Sequence, residues 1–283
     1  MRKRNAPSAG LAVKILFLLI VLAFTMLPLV YTISAAFKPN REIMVGGANI
    51  LPIESTAQNF IDAWNLAHFD RYTLNSLYVT LIAVVGVLIN SSMCAYVFDR
   101  GQFRGKKLIY LIFLSTMFIS AGSITIFPIA QLAARLKLNN LTGVALISMF
   151  TISTLNLFLA MGYMKTISRE IDESAQIDGC SFFRIYWNMI LPLSKPVLAT
   201  IGLVTFRSVW NDYLMPMVLT SSNNASFTLV VGVVKLKSMG GEGAAQWNLM
   251  MAGTLFSILP IIVVYLFLNR YFISGLTSGA VKG

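Results

Sequence analysis

The segment Glu173-Ser174-Ala175-Gln176-Ile177-Asp178-Gly179, followed by Leu191-Pro192, lies in a polar stretch between two long apolar runs. Its acidic residues would lie in the first turn of a helix, where the positive end of the helix dipole stabilises negative charge. Ser168 can cap such a helix, which would begin near Arg169. Gly179 predicts the end of that helix, because glycine readily adopts the left-handed conformation found there. The sequence therefore predicts an ordered helical element in a loop that a simple connector would leave irregular.

A second short helix is predicted after Gly179. Apolar side chains recur at helical spacing and form one stripe, at Phe182, Ile185, Tyr186 and Met189. Pro192 is expected to end this helix, because it lacks an N–H and clashes with the preceding turn. An amphipathic helix that merely connects two spans along the membrane surface is an alternative. It explains the stripe, but an anionic leaflet would repel the acidic first turn.

The composition is that of a polytopic membrane protein. Hydrophobic residues make up 57% of the chain and charged residues only 12%, and the mean hydropathy is +0.73. A soluble domain carries roughly a quarter of its residues charged. The formal charge of +11 fits the Lys and Arg excess of cytoplasmic loops, so we expect no nucleic-acid partner.

Six apolar runs are long enough for spanning helices, which need about 20 apolar residues because lipid cannot satisfy backbone polar groups. They cover residues 11–36, 74–98, 107–131, 141–164, 196–219 and 248–272. The first run exceeds the ~7–15 residues of a signal-peptide core, so an uncleaved span is expected rather than a cleaved signal. Residues 1–283 are therefore predicted to form a single transmembrane domain.

The distribution of Lys and Arg predicts the orientation. These residues concentrate before the first span, between the second and third spans, in the loop 165–195 and around the tail. The other connections carry fewer of them over longer stretches. By the positive-inside rule, both termini and the loop 165–195 are cytoplasmic.

The loop resembles the cytoplasmic "EAA" loop of the membrane subunits of bacterial ABC importers. That loop reads Glu-Ala-Ala, three residues, Gly, nine residues, Ile, one residue, Leu-Pro. The matching residues here are Glu173, Ala175, Gly179, Leu191 and Pro192. Two positions differ, since Ser174 replaces the middle Ala and Met189 replaces the Ile.

Other segments are similar to the carbohydrate-uptake group of these permeases, related to the second membrane subunit of maltose-type importers. They are residues 275–283, Trp210-Asn211-Asp212, and Phe103-x-Gly105-Lys106. The similarity covers essentially the whole chain. It implies the type I ABC importer permease (MetI-like) fold, an all-α membrane protein with six transmembrane helices and both termini cytoplasmic. It also implies a multi-pass protein of the bacterial inner membrane that forms half of a path for a sugar or oligosaccharide.

The resemblance implies that the loop is a coupling helix that docks on a cytoplasmic ATPase. The ATPase-coupling residues would be Glu173, Ser174, Ala175, Asp178, Gly179, Leu191 and Pro192. Residues 101–107 approach a phosphate-binding loop, but their glycine spacing is short and Lys107 stands where Ser or Thr is needed. We therefore expect no catalytic residue, metal or cofactor in this chain, which is not itself an enzyme. ATP and Mg would bind two partner ATPase subunits.

The further partners implied are a second permease subunit in a heterodimer, an extracytoplasmic solute-binding protein, the carbohydrate and the lipid bilayer. Ionisable residues within spans usually face a bundle interior or a wet cavity. A possible translocation path is formed by Arg207, Trp210, Asn211 and Asp212, with packing against the second permease as the alternative. In the tail, Gly279 and Lys282 are possible contacts with the ATPase, and a frayed terminus is the alternative.

Two other functions remain open at this stage. One is an ABC importer permease for a non-sugar solute, such as a glycerol-phosphodiester or a polyamine. The other is a secondary transporter driven by an ion gradient, which needs intramembrane carboxylates or matched broken helices. Asp212 alone supports that alternative poorly.

Overall fold

The computed structural model describes residues 9–46, 49–119, 122–151, 153–238 and 245–280, which form helices and no strand. The all-α prediction is confirmed for these residues. The α-helices up to residue 150 are α1 (Ala9–Ala36), α2 (Asn40–Val45), α3 (Gln58–Leu66), α4 (Phe69–Arg100), α5 (Lys106–Ser115), α6 (Ile126–Arg135) and α7 (Leu141–Phe150). Those that follow are α8 (Thr154–Met164), α9 (Glu170–Ile177), α10 (Phe182–Ile185), α11 (Leu191–Leu193), α12 (Lys195–Trp210), α13 (Leu214–Thr220), α14 (Leu229–Leu236) and α15 (Trp247–Ala280). A π-helical segment, Tyr186–Ile190, joins α10 to α11, and 3-10 turns occur at Gly122–Thr125 and Asn224–Ser226.

Within the residues that the structure describes, three helices are long and apolar enough to cross a bilayer, and they lie at three of the predicted spans. The stretches that qualify are Val13–Ala36 in α1, Phe69–Arg100 in α4 and Trp247–Phe267 in α15. Each comes from a long, mainly apolar run of the sequence. None of the apolar window of α1 is buried, so its side chains require lipid or another chain for cover.

The other three predicted spans each contain a break between shorter helices, so six spanning helices are not confirmed within the described residues. The run 107–131 contains α5 and α6, and the run 141–164 contains α7 and α8, which meet at 45°. The run 196–219 is divided between α12 and α13. Short polar side chains bond back to the backbone at these breaks: Thr116 to Phe113 O, Thr151 to Ile147 O and Asn211 to Arg207 O. The same kind of bond occurs inside the continuous helices α1 and α15, at Thr25, Thr32 and Thr254, so it accompanies the breaks but does not by itself cause them.

The chain divides into two compact units, of which the first contains residues 1–69 and 233–257. A buried amide network organises this unit. The Asn59 amide donates to the carbonyls of Ala36 and Lys38, at 2.9 and 2.8 Å, and its oxygen accepts from the Asn248 amide at 2.8 Å. This network ties the residues that follow α1 to α3 and to the first turn of α15.

A second polar cluster in the same unit surrounds Glu42. The backbone N–H groups of Ile53 and Glu54 donate to its carboxylate, and Lys38 lies 3.6 Å away. Desolvation is the largest single influence on the pKa of Glu42 and raises it, but the two hydrogen bonds and Lys38 together outweigh it. The pKa of Glu42 is therefore lowered from its ordinary value of 4.5.

The second unit contains residues 70–232 and 258–283, and its main core forms around α4. Small and aromatic residues of α4, including Ala95 and Tyr96, pack against α8, α12 and the segment 175–191. At Gly86 a Cβ atom would lie 2.0 Å from the Met149 side chain, so α4 and α7 approach closely there. The Asn90 amide donates to Met149 O at 3.1 Å and fixes this contact.

Candidate functional site

The first helix of the predicted loop element is α9, which begins at Glu170. The hydroxyl of Ser168 accepts a hydrogen bond from the Glu170 N–H at 3.3 Å. Glu170, Asp172 and Glu173 occupy the first turn, where the helix dipole favours negative charge. The predicted helix is confirmed, and its start lies one residue after the predicted one.

Gly179 ends α9 with a φ of +78°, in the left-handed region. Cys180 N–H donates to Ala175 O at 2.9 Å, and Gly179 N–H donates to Gln176 O at 3.0 Å. This pair of bonds is the Schellman arrangement that closes helix ends. A Cβ at Gly179 would have no atom within 4 Å, so backbone conformation, rather than local crowding, requires glycine. The predicted helix stop is confirmed.

The second helix of the element runs from α10 through the π-helical segment to α11. Its predicted apolar stripe is confirmed, because Ile185 and Tyr186 are buried in the core around α4 and Phe182 and Met189 pack against that core. The π turn was not predicted. The expectation that Pro192 ends the helix is wrong, since α11 continues to Leu193 and the chain then bends by 78° into α12. The π turn accommodates the proline: Leu191 N–H donates to Tyr186 O, and Ser194 supplies the next donor, to Ile190 O.

The predicted coupling residues divide between the two faces of this element. Glu173, Ser174, Asp178, Gly179 and Pro192 are exposed, whereas Ala175 is buried and Leu191 is half-buried. Three large apolar side chains that were not predicted as site residues are exposed beside them. They are Ile177 (87% exposed), Phe183 (57%) and Trp187 (48%). The spacing of Phe183 and Trp187, one helical turn apart, could have indicated a second apolar face.

Residues of α4 hold the buried face of the element, and the sequence did not identify them. The Arg100 guanidinium donates to Ile167 O at 2.7 Å and forms an ion pair with Asp172 at 3.2 Å. The Tyr96 hydroxyl donates to Phe182 O at 3.3 Å. The hydroxyls of Ser92 and Tyr186 lie 2.7 Å apart. The four-residue spacing of Ser92, Tyr96 and Arg100 is the one signal in the sequence that places them on a single helix face.

Asp212 is the predicted path residue that borders a cavity. The cavity has a volume of about 400 Å³ and is lined by α4, α7, α8, α12 and the residues around Asp212. Its polar lining residues are Ser148, Thr151, Ser153, Asn156, Thr205, Ser208 and Asp212. The Asn156 amide donates to the Thr205 hydroxyl at 3.3 Å. The wall is therefore rich in neutral groups that both donate and accept hydrogen bonds.

The other predicted path residues lie elsewhere. Trp210 is 1% exposed and stacks on Phe206 with ring centroids 5.4 Å apart, so its ring faces the protein interior. Asn211 is exposed, and its amide donates to Arg207 O at 2.9 Å. Arg207 is exposed in a separate, mainly apolar pocket of about 350 Å³ that Ile261 and Tyr265 also line. The structure thus does not bring the four residues together at one site.

The two tail residues lie at the limit of the described chain. Gly279 belongs to the last turn of α15, which extends to Ala280. Lys282 lies outside the described residues.

Comparison with known proteins identifies the chain's relatives. Residues 91–278 match the family described as the inner membrane component of binding-protein-dependent transport systems. The arabinooligosaccharides transport system permease protein AraQ of Halalkalibacterium halodurans is 31% identical over 100% of both chains. The probable starch degradation products transport system permease protein AmyC of Thermoanaerobacterium thermosulfurigenes is 34% identical, over 94% of this chain and 95% of the relative.

A solved structure has the same fold over nearly the whole chain. It is a chain of a bacterial ABC transporter involved in the import of the acidic polysaccharide alginate, with a TM-score of 0.77 and 25% identity. The match covers 96% of this chain and 99% of that one. Together with the family match, it accounts for a multi-pass helical protein of the inner membrane whose family supplies permease components rather than catalytic subunits. The chain belongs to the family of inner membrane components of binding-protein-dependent transport systems, the permeases of ABC importers.

Proposed function

We propose that this chain is a permease subunit of an ATP-driven importer for a sugar or oligosaccharide. It acts as a single domain with six spans and both termini cytoplasmic, and it forms half of the translocation path. The observation that carries the proposal is the two-faced element α9–Gly179–α10, whose apolar stripe is buried against α4 while its other face is exposed. An element with one face bound to the membrane domain and one face free is suited to transmit movement from a second protein.

The exposed face docks on a cytoplasmic ATPase subunit. Ile177, Phe183 and Trp187 supply apolar area, and Glu173 and Asp178 add charge that sets orientation. Recognition is of the helix-in-groove kind, in which an amphipathic helix lays one face into a cleft. The shape of the element depends on Ala175 at its inner side and on Leu191 and Pro192 at its end. The ATPase surface can approach closely at Ser174 and Gly179. Two such ATPase subunits bind ATP and Mg, and this chain binds neither.

The translocation path follows the polar cavity beside Asp212. Its hydroxyl and amide groups suit a neutral solute with many hydroxyls, because each can donate or accept as the solute passes. Asn211 extends the polar surface, whereas Trp210 supports the wall from behind. Arg207 faces the second permease subunit, since an ionisable group at the depth of a span requires a polar partner.

The complete importer contains this chain, a different second permease subunit, two ATPase subunits and an extracytoplasmic binding protein that delivers the solute. ATP closes the ATPase pair, and the permease pair turns from inward-facing to outward-facing. The coupling is a population shift, so the ATPases must bind the two conformations with different affinity. The tail residues Gly279 and Lys282 add a contact to the ATPase.

Purification of the intact complex from its host tests this function. ATPase activity is measured in proteoliposomes with the binding protein and, in turn, arabino-, malto- and galacto-oligosaccharides, a glycerophosphodiester and spermidine. Stimulation by at least one oligosaccharide and by neither of the other solutes is expected. Stimulation by spermidine or the phosphodiester alone contradicts the carbohydrate assignment. Uptake by this chain reconstituted without ATPase subunits contradicts the importer assignment itself.

A further inference from the structure

We infer that Ser92, Tyr96 and Arg100 form a transmission stripe on α4. Through this stripe, α4 carries movement of the coupling element, which comprises residues 170–193, to the wall of the solute cavity. Arg100 is its principal positioning residue. The inference rests on the proposed function, because it concerns how the docked element drives the membrane domain.

The stripe follows one face of α4. Residues four apart lie on the same side of a helix and are about 6 Å apart along its axis. Ser92 meets Tyr186 in the π-helical segment, Tyr96 meets Phe182 at the start of α10, and Arg100 meets Asp172 in α9. Three of the helical parts of the coupling element, namely α9, α10 and the π-helical segment, are thus each attached to α4 by a separate residue.

Arg100 fixes two points of the element at once. Its guanidinium contacts the carboxylate of Asp172 and the carbonyl of Ile167, which precedes α9, and it also lies 3.3 Å from Asp99. The side chain is 8% exposed, so water competes weakly for these contacts. A planar guanidinium offers several donors in a fixed geometry, whereas a lysine ammonium acts as a point charge. The hydrogen bond to Ile167 O and the ion pair with Asp172 therefore hold the start of α9 beside the end of α4.

The same helix reaches the cavity. The Tyr96 and Phe182 rings contact each other at a tilt of 35°, with centroids 4.4 Å apart, so this end of α4 cannot slide freely past the element. Farther along α4, the Asn90 amide holds Met149 O of α7 at 3.1 Å, and Val87 lines the cavity itself. The next residues of α7 towards its start, Ile147 and Ser148, also line the cavity. A contiguous set of packed contacts thus joins the ATPase-facing element to the solute path.

The test measures the reactivity of a residue in the cavity wall. In the purified complex with its ATPase subunits, both native cysteines are replaced by serine, and Ser208 of the cavity wall is replaced by cysteine as a reporter. The alkylation rate of that cysteine by a thiol reagent is measured with and without the ATP analogue AMP-PNP. We expect a change of about fivefold or more, in the range of ordinary coupling between sites.

Substitution of Arg100 is expected to abolish this response. Arg100→Ala should reduce the nucleotide effect to less than about twofold while AMP-PNP still binds the ATPase subunits. Arg104→Ala is the matched control, because Arg104 is an exposed cation of the same loop, and it should respond like the parent. Arg100→Lys keeps a positive charge beside Asp172. It therefore provides a variant that assembles if the Arg100→Ala complex does not. It should reduce the response to an intermediate value.

Asp172→Ala and the double variant with Arg100→Ala complete a mutant cycle. If the two residues act through each other, the double variant loses no more of the response than the more damaging single variant. A full response in Arg100→Ala, or in Arg100→Lys where only that variant assembles, overturns the transmission role. The transmission role is also overturned if the response of the Arg100 variant falls only in proportion to the amount of assembled complex. If AMP-PNP has no effect on the parent complex itself, the result contradicts the proposed coupling function and not the specific role of the transmission stripe.

Discussion

The hydroxyl groups of Ser92 and Tyr186 lie 2.7 Å apart, although 94 positions separate them in the sequence. The Ser92 hydroxyl also donates to Leu88 O, so the Tyr186 hydroxyl donates to Ser92. Both residues are buried. Loss of one partner of a buried hydrogen bond costs about 1–3 kcal/mol, because the other group is left without a partner. Ser92→Ala should destabilise the purified protein by that amount in thermal unfolding, and the double variant with Tyr186→Phe should recover most of it. Equal loss in the single and double variants would contradict this pairing.

Gly179 should tolerate asparagine or alanine far better than proline. Its φ of +78° costs a non-glycine residue about 1–2 kcal/mol, but a Cβ there meets no atom within 4 Å. Proline cannot adopt that φ and lacks the N–H that bonds to Gln176 O. Gly179→Pro should therefore insert into the membrane normally and fail to retain the ATPase in co-purification. Gly179→Asn serves as the control and should retain it. Normal retention by Gly179→Pro would exclude the helix end from the docking site.

Reversal of charge at Glu173 should weaken docking without affecting the fold. The side chain is exposed, and no hydrogen bond or ion pair within the described residues holds it. Glu173→Gln removes the charge and Glu173→Lys reverses it, so ATPase retention should fall in that order. Asp172→Lys is the contrasting variant, because Asp172 is paired with Arg100 and its substitution should also lower thermal stability. Unchanged retention in Glu173→Lys would remove Glu173 from the docking face.

Cys180 should react with a membrane-impermeant thiol reagent only from the cytoplasmic side. It follows Gly179 directly and is partly exposed, so the reagent can reach it in the isolated subunit. Cys94 lies within α4 and should react slowly from both sides. The measurement compares labelling of right-side-out and inside-out vesicles, with a Cys94→Ser variant as the control. Labelling of Cys180 in right-side-out vesicles would reverse the proposed orientation.

The stability of the first unit should depend on the ionisation of Glu42. Its pKa is lowered in the folded state, so the carboxylate stabilises the fold at pH values above its ordinary pKa of 4.5. This contribution is lost as the pH falls from about 5 through the folded pKa, and Glu42→Gln should abolish that dependence. Thermal unfolding between pH 6 and pH 3 measures it. An identical decline in the variant would assign the acid sensitivity to other groups.

The sequence predicted those parts of the fold that depend on local pattern. The unbroken apolar runs of α1, α4 and α15 specify long helices, and the positive φ of Gly179 follows from its place after an acidic, amphipathic turn. The breaks near Thr116, Thr151 and Asn211 were missed, because each of the three runs is long and apolar enough overall to be taken as one span.

Pairings between distant elements could not be predicted. Arg100 appears in the sequence as one more cation of a cytoplasmic loop, and only the folded chain shows that it faces Asp172 and the Ile167 carbonyl. Trp210 is the reverse case, because the sequence singled it out and the structure places it away from the cavity. It was predicted as a possible residue of the translocation path, but the helix directs its ring into the interior.

The π-helical segment Tyr186–Ile190 has a consequence for how this protein family can vary. A π turn accommodates one more residue than an α turn. Deletion of a single residue here would therefore convert the π turn into an α turn, and the residues on either side of it would keep their directions. The family can therefore gain or lose one residue at this segment while α12 keeps Thr205 and Ser208 at the cavity wall.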